Sequence, residues 1–338
     1  MSTPSPSPND PRRLALAAAA GIALGLLGPS EASATADMPA PPVRLSQTGL
    51  YESGSTTRVR PGLVAFMPEH ALWSDGADKQ RWLRLPAGRS IDARRADAWD
   101  FPRGTLLWKQ FSFGGRPVET RTIERLSDGR WRFASYVWRE DGSDADLAPA
   151  HGSVAKVSPA PGGRYSVPSR SDCLACHGST AVPVLGASAL QLAERLRELT
   201  AQGHLHGLPH ALLEASPSPV AGNASERAAL GYLHANCGHC HNRSGRQVPV
   251  NLTLAQSALQ PQASRNASLH SMLAQPTRAG AAAVVPGDAR ASALWQRMAS
   301  HQPQNRMPPL GTDLPDAAGL ALVGRWIDHD LQRPQEKP

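Results

Sequence analysis

The sequence predicts a multidomain protein in which an all-β, sandwich-like N-terminal domain precedes an all-α region. Three observations support this fold class. Short runs of alternating apolar and polar residues, separated by glycine turns, fill residues 61–170. Two C-x-x-C-H sequences follow these runs. After residue 222, apolar residues recur at three- and four-residue intervals, which is typical of helices.

Changes of composition divide the 338 residues into five segments. Residues 1–36 are predicted to be a signal peptide, and residues 37–60 an irregular lead-in. The β-rich domain covers 61–170 and the first haem-binding segment covers 171–221. Residues 222–332 are expected to form a helical domain with the second haem.

The first segment has the features of an export signal. Arg12 and Arg13 precede the apolar stretch Leu14–Leu27, and the small residues Ala34–Ala36 form a cleavage site. The apolar stretch is short for a membrane span, which favours cleavage before Asp37 over a retained anchor. We therefore expect a periplasmic protein with no transmembrane segment in the mature chain.

Three strands and two turns are predicted in the β-rich domain. Leu106–Phe113, Val118–Ile123 and Trp131–Trp138 have strand composition. Gly114-Gly115 and Asp128-Gly129 lie between these runs. Because both dipeptides favour tight hairpin turns, we expect an antiparallel sheet.

Aromatic residues concentrate in the same region. Six of the eight Trp and all five Phe lie between Phe66 and Trp138. The spacing of Trp131, Phe133 and Ser135 places alternate side chains on one face, which favours a buried sheet core. The alternative is a stacking platform for a sugar or another flat ligand.

Two C-x-x-C-H motifs, Cys173–His177 and Cys237–His241, predict covalent attachment of two c-type haems. Two intervening residues put both thiols on one helical turn, and the next residue directs an imidazole at the iron. A redox disulfide or a zinc site also uses C-x-x-C, but neither requires the adjacent His. The predicted attachment and ligand residues are Cys173, Cys176, His177, Cys237, Cys240 and His241.

Helices are predicted around both motifs. Asp172 is expected to cap a helix at the first motif. A stripe of apolar residues at helical spacing should follow the first motif. Residues 207–222 have the composition of a linker. Asn223 and Glu226 form the pattern of a capping box that opens a helix into Cys237. The stripe consists of Leu185, Ala189, Leu192, Leu196 and Leu199.

Two further helices are predicted near the C-terminus, the first around Ser292–Met298. Asp313 and Asp316 should cap the final one. Gly231 and Gly324 are expected to let the helix before the second motif cross the final helix closely. The final helix carries one apolar face, made of Leu320, Val323, Ile327 and Leu331.

Residues 222–332 resemble a class I cytochrome c. The matching features are a helix that enters the second motif, Met307 in a Met-Pro-Pro loop, and a terminal helix with Trp326. The resemblance implies that His241 and Met307 are the axial ligands of the second haem. Met307 as a core residue is the alternative, and Met298 fits a helix core better than a ligand position.

Most of the remaining chain resembles a family of bacterial dihaem c-type cytochromes with a β-rich N-terminal region. That resemblance implies the fold and the cofactor, two covalently bound c-type haems, rather than a substrate. It rests on Leu72–Ala77 with Lys79, Arg81 and Trp82, on Val137–Gly142, on Leu185-Gly186 with Gln191-Leu192, and on Val285–Asp288.

The first haem-binding segment contains no methionine that could serve as a sixth ligand. No Met lies between His177 and Met272, and the segment is too short to enclose a haem without a neighbouring domain. Asp75 and Lys79 are interpreted as a capped turn with a solvated lysine, with a polar functional site as the alternative. Candidate sixth ligands for the first haem are Met67, His70, His151, His204, His206 and His210.

The expected function is electron transfer by a dihaem c-type cytochrome to an unidentified redox partner protein. The net charge of +7 is not concentrated in a basic stripe, which argues against nucleic acid as a partner. One alternative is a peroxidase-like enzyme with an open first haem, whose catalytic residues the sequence does not identify. The other is a glycan-binding module with accessory haems.

Overall fold

A six-stranded antiparallel sheet organises the N-terminal region of this computed structural model. The structure describes residues 38–158, 160–243, 250–273 and 282–331. The predicted signal peptide at 1–36 and its cleavage site lie outside the described residues. The described residues from Ala40 onward form one compact unit, and the domain boundaries within it stay predictions.

The main sheet has the strand order β1-β2-β4-β5-β6-β7, and all its pairings are antiparallel. Two small sheets accompany it: β8 with β9, antiparallel, and β3 with β10, parallel. The strands are β1 Val64–Ala65, β2 Asp78–Arg84, β3 Ile91–Asp92, β4 Leu106–Phe113, β5 Arg116–Arg125, β6 Trp131–Trp138, β7 Ala145–Leu147, β8 Ser153–Lys156, β9 Arg164–Val167 and β10 Leu205–His206.

Both predicted hairpin turns are confirmed. Gly114 and Gly115 connect β4 to β5 with φ angles of 55° and 77°, which glycine adopts without steric cost. Asp128 and Gly129 connect β5 to β6, and Gly129 has φ 90°. Two positive φ values in a two-residue loop match the right-handed twist of the strands.

Both faces of the main sheet are covered, which places most of the aromatic residues in cores. One face contributes Trp82, Trp108 and Trp138, which are buried against Leu45 and Leu50. The other face is covered by the β8–β9 hairpin and by the chain that follows the first motif. Among the described residues, these short covering segments take the place of the second large sheet that a sandwich would have. Because these rings are buried, the interpretation as a sheet core is favoured over a stacking platform.

Helices occupy the C-terminal half. The α-helices are α1 Arg170–His177, α2 Leu196–Ala201, α3 Ala211–Glu214, α4 Ala224–Asn236, α5 Pro261–Leu273, α6 Ala293–Ala299 and α7 Ala317–Arg325. A single π-helical turn, Trp326–Asp330, continues α7. None of the helices in the described ranges has the length and apolar character that crossing a membrane requires.

Two predictions around the first motif are corrected. The N-cap of α1 is Ser169, whose hydroxyl accepts from the Asp172 N–H, while Asp172 completes the capping box from inside the helix. The apolar stripe that begins at Leu185 becomes helical only at Ala193. Its residues are nevertheless largely buried, because Pro183–Leu192 packs irregularly against the β region. The predicted linker 207–222 contains α3.

The capping predictions near the second motif are largely confirmed. Asn223 Oδ1 accepts from the Glu226 N–H at 2.8 Å, and the Glu226 carboxylate accepts from the Gly222 N–H at 2.6 Å. Asp316 caps α7 through the Gly319 N–H, 3.0 Å away. Asp313 does not cap that helix. The predicted apolar face of α7 packs in the helical core beside Leu230 and Leu233.

The predicted close crossing of α4 and α7 at Gly231 and Gly324 is wrong. Gly231 faces the ring of His70, and Gly324 faces Trp295. The position that allows α7 to approach α4 is Gly319, because a side chain there would clash with the ring of Tyr232. The glycine pattern in the sequence does not show which partner each glycine meets.

We expect Gly319→Ala to lower the free energy of unfolding by about 1–3 kcal/mol, because the added methyl group overpacks the contact with Tyr232. Urea unfolding followed by far-UV circular dichroism measures the change. Ala318→Ser is the control, since it adds one heavy atom at an exposed position of the same helix. Equal unfolding midpoints for the two variants would show that α4 and α7 do not meet at Gly319.

Candidate functional site

The two C-x-x-C-H motifs lie side by side, although Cys176 and Cys240 are 64 residues apart in the sequence. A ligand atom from each of Cys176, His239 and Cys240 lies within 4.8 Å of the others. The Asn242 side-chain amide also donates to the Ser179 carbonyl at 2.9 Å, which joins the segments that follow the two motifs. The fold therefore gathers both predicted attachment sites in one centre.

The first motif lies on α1, which packs against β6. The His177 ring lies 5.2 Å from the Phe133 ring, between centroids. Its Nδ1 donates to the Pro183 carbonyl at 2.6 Å, because a carbonyl oxygen can only accept. This bond fixes the tautomer and leaves Nε2 as the nitrogen available to a metal. Burial lowers the pKa of His177 to about 4, so the imidazole is neutral, as a ligand must be.

The second motif begins where α4 ends. The His241 N–H donates to the Cys237 carbonyl at 2.8 Å, and the His241 carbonyl accepts from the Leu254 N–H at 2.8 Å. Burial, followed by the charges of His239 and Arg297, lowers the pKa of His241 to about 4. Its Nδ1 is buried and has no hydrogen-bond partner among the described residues.

Met307 lies near Cys237 of the second motif, and its role as an axial ligand stays a prediction. The Met307 N–H donates to the Arg297 carbonyl at 2.9 Å, and Arg297 is one of two residues whose charges act on His241. Met307 and Cys237 line the same cavity, which is small, about 20 Å³. Met298 lines it as well but is buried in the helical core, as predicted. In a His–Met c-type haem site, the imidazole and the methionine thioether bind the iron, and the cysteine thiols attach the porphyrin.

The four cysteines are free thiols and half-buried. Burial raises the pKa of Cys173 to about 11 and of Cys237 to about 12. A hydrogen bond between the thiols of Cys176 and Cys240, followed by burial, raises the pKa of Cys176 to about 12, and the same bond lowers the pKa of Cys240. Three of the thiols therefore lack the low pKa of a catalytic thiolate, which favours an attachment role.

A cavity of about 450 Å³ lies beside both motifs. The segment that follows the first motif lines one part of its wall, through 180–182 and Val184. Gly238 and His239 of the second motif, with Asn242 directly after it, line another part. Its volume is within the range of cofactor-binding cavities. None of the motif cysteines lines this cavity, and neither does His177 or His241, so the fit to covalently bound haem rests on the donor chemistry of the two motifs.

The candidates for a sixth ligand of the first haem are scattered. Met67 is 66% exposed, and His151 is exposed. His206 Nδ1 contacts the Ser90 hydroxyl, and His210 pairs with Glu214 at the surface. His204 is half-buried, and its carbonyl accepts from the Ile91 N–H. These placements assign none of the five to the first motif.

His70 differs from the other candidates because it packs on α4, the helix of the second motif. Its Nε2 is buried without a hydrogen-bond partner among the described residues, and burial lowers its pKa. The identity of the sixth ligand at the first motif stays a prediction.

The segment Leu72–Ala77 of the β region reaches the second motif and the Met307 loop. The Asp75 carboxylate accepts from the Asp313 N–H at 2.9 Å and from the Leu314 N–H at 2.9 Å. Trp73 Nε1 donates to the Leu314 carbonyl at 2.8 Å, and the Trp73 N–H donates to Asn236 Oδ1 at 2.7 Å. The predicted turn is present, since the Ala77 N–H donates to the Ser74 carbonyl, but the Asp75 carboxylate binds backbone 238 residues away instead of capping it.

Lys79 also departs from expectation. It is half-buried rather than fully solvated, and its ammonium donates to the Leu72 carbonyl at 2.8 Å. Burial lowers its pKa. Lys79 therefore supports the chain that carries Trp73 and Asp75. Sequence reasoning noticed this segment through its family resemblance but had no signal for its partners, which are backbone groups far along the chain.

Comparison with known proteins supports a cytochrome c-like region near the C-terminus. A family model described as Planctomycete cytochrome C matches residues 265–311, which run from α5 through α6 to the Met307 loop. The match suggests haem-based electron transfer and a covalently attached haem. No curated protein and no solved structure matches the chain.

We expect Asp75→Asn to lower the free energy of unfolding by about 2 kcal/mol. The wild-type carboxylate accepts charge-assisted hydrogen bonds from two backbone N–H groups. The asparagine amide offers one neutral oxygen as an acceptor, and its NH2 group repels the other N–H. Urea unfolding and limited proteolysis at residues 306–316 measure the effect. Asp78→Asn is the matched control, because Asp78 is exposed at the start of β2. A loop equally resistant to protease in both variants would contradict the role of Asp75.

Proposed function

We propose that this chain is a periplasmic dihaem c-type cytochrome that transfers electrons between its two haems and an unidentified redox partner protein. The observation that carries the proposal is the approach of Cys176 to Cys240 and His239. A covalent haem at each motif would have one attachment point beside an attachment point of the other. Two cofactors attached at these neighbouring cysteines would lie close enough to exchange electrons directly.

The residues of the chain supply attachment, orientation and a dry environment. Bound haem supplies a reversible one-electron couple at its iron. The thiols of each motif hold the cofactor, and the Pro183 carbonyl keeps the His177 imidazole in a single orientation. Met307 favours the reduced state if its thioether is the sixth ligand, because a thioether is a weak donor. Trp73 and Asp75 hold the chain that follows Met307.

The proposed location depends on the N-terminal sequence and on the chemistry of attachment. Residues 1–36 carry the pattern of a cleavable export signal. The described helices, none suited to crossing a membrane, are compatible with an exported protein. All four cysteines belong to the two motifs, so no cysteine is left for a disulfide after attachment.

Haem content tests the dihaem proposal. We expect the mature protein, expressed with haem-attachment machinery, to begin at Asp37 and to have the mass of two covalent haems. Cys173→Ser with Cys176→Ser should remove one haem, and Cys237→Ser with Cys240→Ser should remove the other. Intact-mass spectrometry after acid–acetone extraction measures each content.

Two results would contradict the dihaem assignment. One is a wild-type mass with a single haem or none. The other is stoichiometric zinc, found by metal analysis, that is lost when Cys176, His239 or Cys240 is substituted.

The proposal that Met307 is the sixth ligand of the second haem is testable. We expect Met307→Leu to abolish the iron–sulfur charge-transfer band and to lower the potential of that haem, because the thioether no longer favours ferrous iron. Met298→Leu is the matched control, since Met298 lines the same small cavity and the exchange conserves volume. Redox titration with optical detection gives both readouts. If the band survives in Met307→Leu, another residue is the ligand.

A further inference from the structure

Three basic residues form a row across the face of the main sheet that carries Phe133. In the register of the sheet, Arg81 on β2 lies opposite Lys109 on β4, and Lys109 lies opposite Arg121 on β5. Ser135 on β6 continues the row. Residues directly opposite one another on adjacent strands present side chains to the same face. We call Arg81, Lys109 and Arg121 the basic row.

The basic row is poorly exposed and short of negative charge. Arg81 is only 7% exposed, and its guanidinium makes no hydrogen bond or ion pair with any residue in the described ranges. Lys109 is half-buried and likewise lacks an ion pair there, while its ammonium lies 4.7 Å from the centroid of Phe111. Burial lowers the pKa of Arg81 to about 10 and the pKa of Lys109 well below its usual value.

One carboxylate serves the row. Glu119 is fully buried and accepts from Arg121 Nε and Nη2 at 2.9 and 2.8 Å. Its second oxygen also accepts from the Tyr165 hydroxyl at 2.7 Å. Glu119 is therefore already occupied by Arg121 and Tyr165. Two cations are left without a carboxylate in the described structure, whereas buried charges are usually paired.

The basic row adjoins the first motif. The helix that carries the first motif, α1, packs against β6, and the His177 ring lies 5.2 Å from the Phe133 ring, between centroids. Phe133, which contacts the His177 ring, is two residues from Ser135 on β6. A haem attached at Cys173–His177 would therefore carry its two propionate carboxylates into a region where cations are in excess.

We infer that the basic row is the binding site for the propionate groups of the haem held by Cys173–His177, with Arg81 and Lys109 as the principal partners. The inference rests on the proposed function, because it requires a haem at the first motif. An arginine guanidinium matches the geometry of a carboxylate with two parallel hydrogen bonds. Two propionates, together with Glu119, would balance the three charges of the row.

This site has a measurable consequence for the redox equilibrium. A cation beside a haem stabilises ferrous iron relative to the more positive ferric iron, and low dielectric strengthens the effect. We expect Arg81→Met and Lys109→Met each to shift the equilibrium of the first haem about tenfold toward ferric iron. For a one-electron couple that shift is about 59 mV.

The experiment uses the intact holoprotein. Redox titration with optical and electron paramagnetic resonance detection gives the potential of each haem, and Met307→Leu identifies the signals of the second. Resonance Raman spectra report the propionate bending bands of the first haem. Arg84→Met is the matched control, because Arg84 lies on the same strand but packs over Trp108 on the opposite face.

The expected result is a lowered first-haem potential and altered propionate bands in Arg81→Met and Lys109→Met, with Arg84→Met unchanged. Unchanged potentials in both variants, or a shift confined to the second haem, would overturn the inference. So would saturable binding of nitrite or phosphate to the wild type that both variants lose without a change in propionate bands, because the row would then bind a free oxyanion. If Arg81→Met does not accumulate, Lys109→Met decides alone.

Intact mass separates this inference from the proposed function. If the wild type lacks a haem at Cys173–His177, the proposed function fails and the row has no propionate to bind. If every variant carries two haems and the potentials do not move, the proposed function stands and the propionate site alone is wrong.

Discussion

The approach of the two C-x-x-C-H motifs is the constraint on which the rest of this structure depends. α1 and α4 come from different parts of the chain, and each is positioned by its own contacts with the β region. The first motif rests on β6 through Phe133 and His177. The second is held through Trp73 and Asn236. The sheet region therefore acts as the common support that brings Cys176 beside Cys240.

A sheet that supports both motifs needs a stable core of its own, which explains why the N-terminal region contains so much buried aromatic surface. Trp82, Trp108 and Trp138 form a rigid core on one face of the sheet. That core allows the other face to carry polar groups, since the sheet does not depend on that second face alone for apolar burial. A buried cation row on a weaker sheet would destabilise it, because each desolvated charge opposes folding.

Local sequence patterns predicted the strands, the turns and the motifs, whereas the contacts between distant residues depend on long-range register. The bounds of β4 and β6 and the two hairpin turns follow from alternation and from glycine at positive φ. The motifs follow from their own spacing. Gly231, by contrast, was assigned to the wrong contact, because the sequence does not show that His70 packs on it. Asp75 presents the same problem, since its partners are backbone groups on a distant loop.

The basic row shows most clearly what a sequence conceals. Arg81, Lys109 and Arg121 are 28 and 12 residues apart, so no window of the sequence contains a basic cluster. They become neighbours only when β2, β4 and β5 pair in this register, and a slip of one residue would turn each to the other face.

That register also explains how a first haem-binding segment this short could hold a haem. A segment of about fifty residues cannot enclose a haem, but it needs to supply only the thiols and His177 if the sheet supplies a wall and the counter-charges. Export without attached haem would then leave Arg81 and Lys109 buried and unbalanced. Haem attachment at the first motif and folding of the sheet would then be thermodynamically linked, because the propionates that neutralise the basic row would also stabilise the folded state.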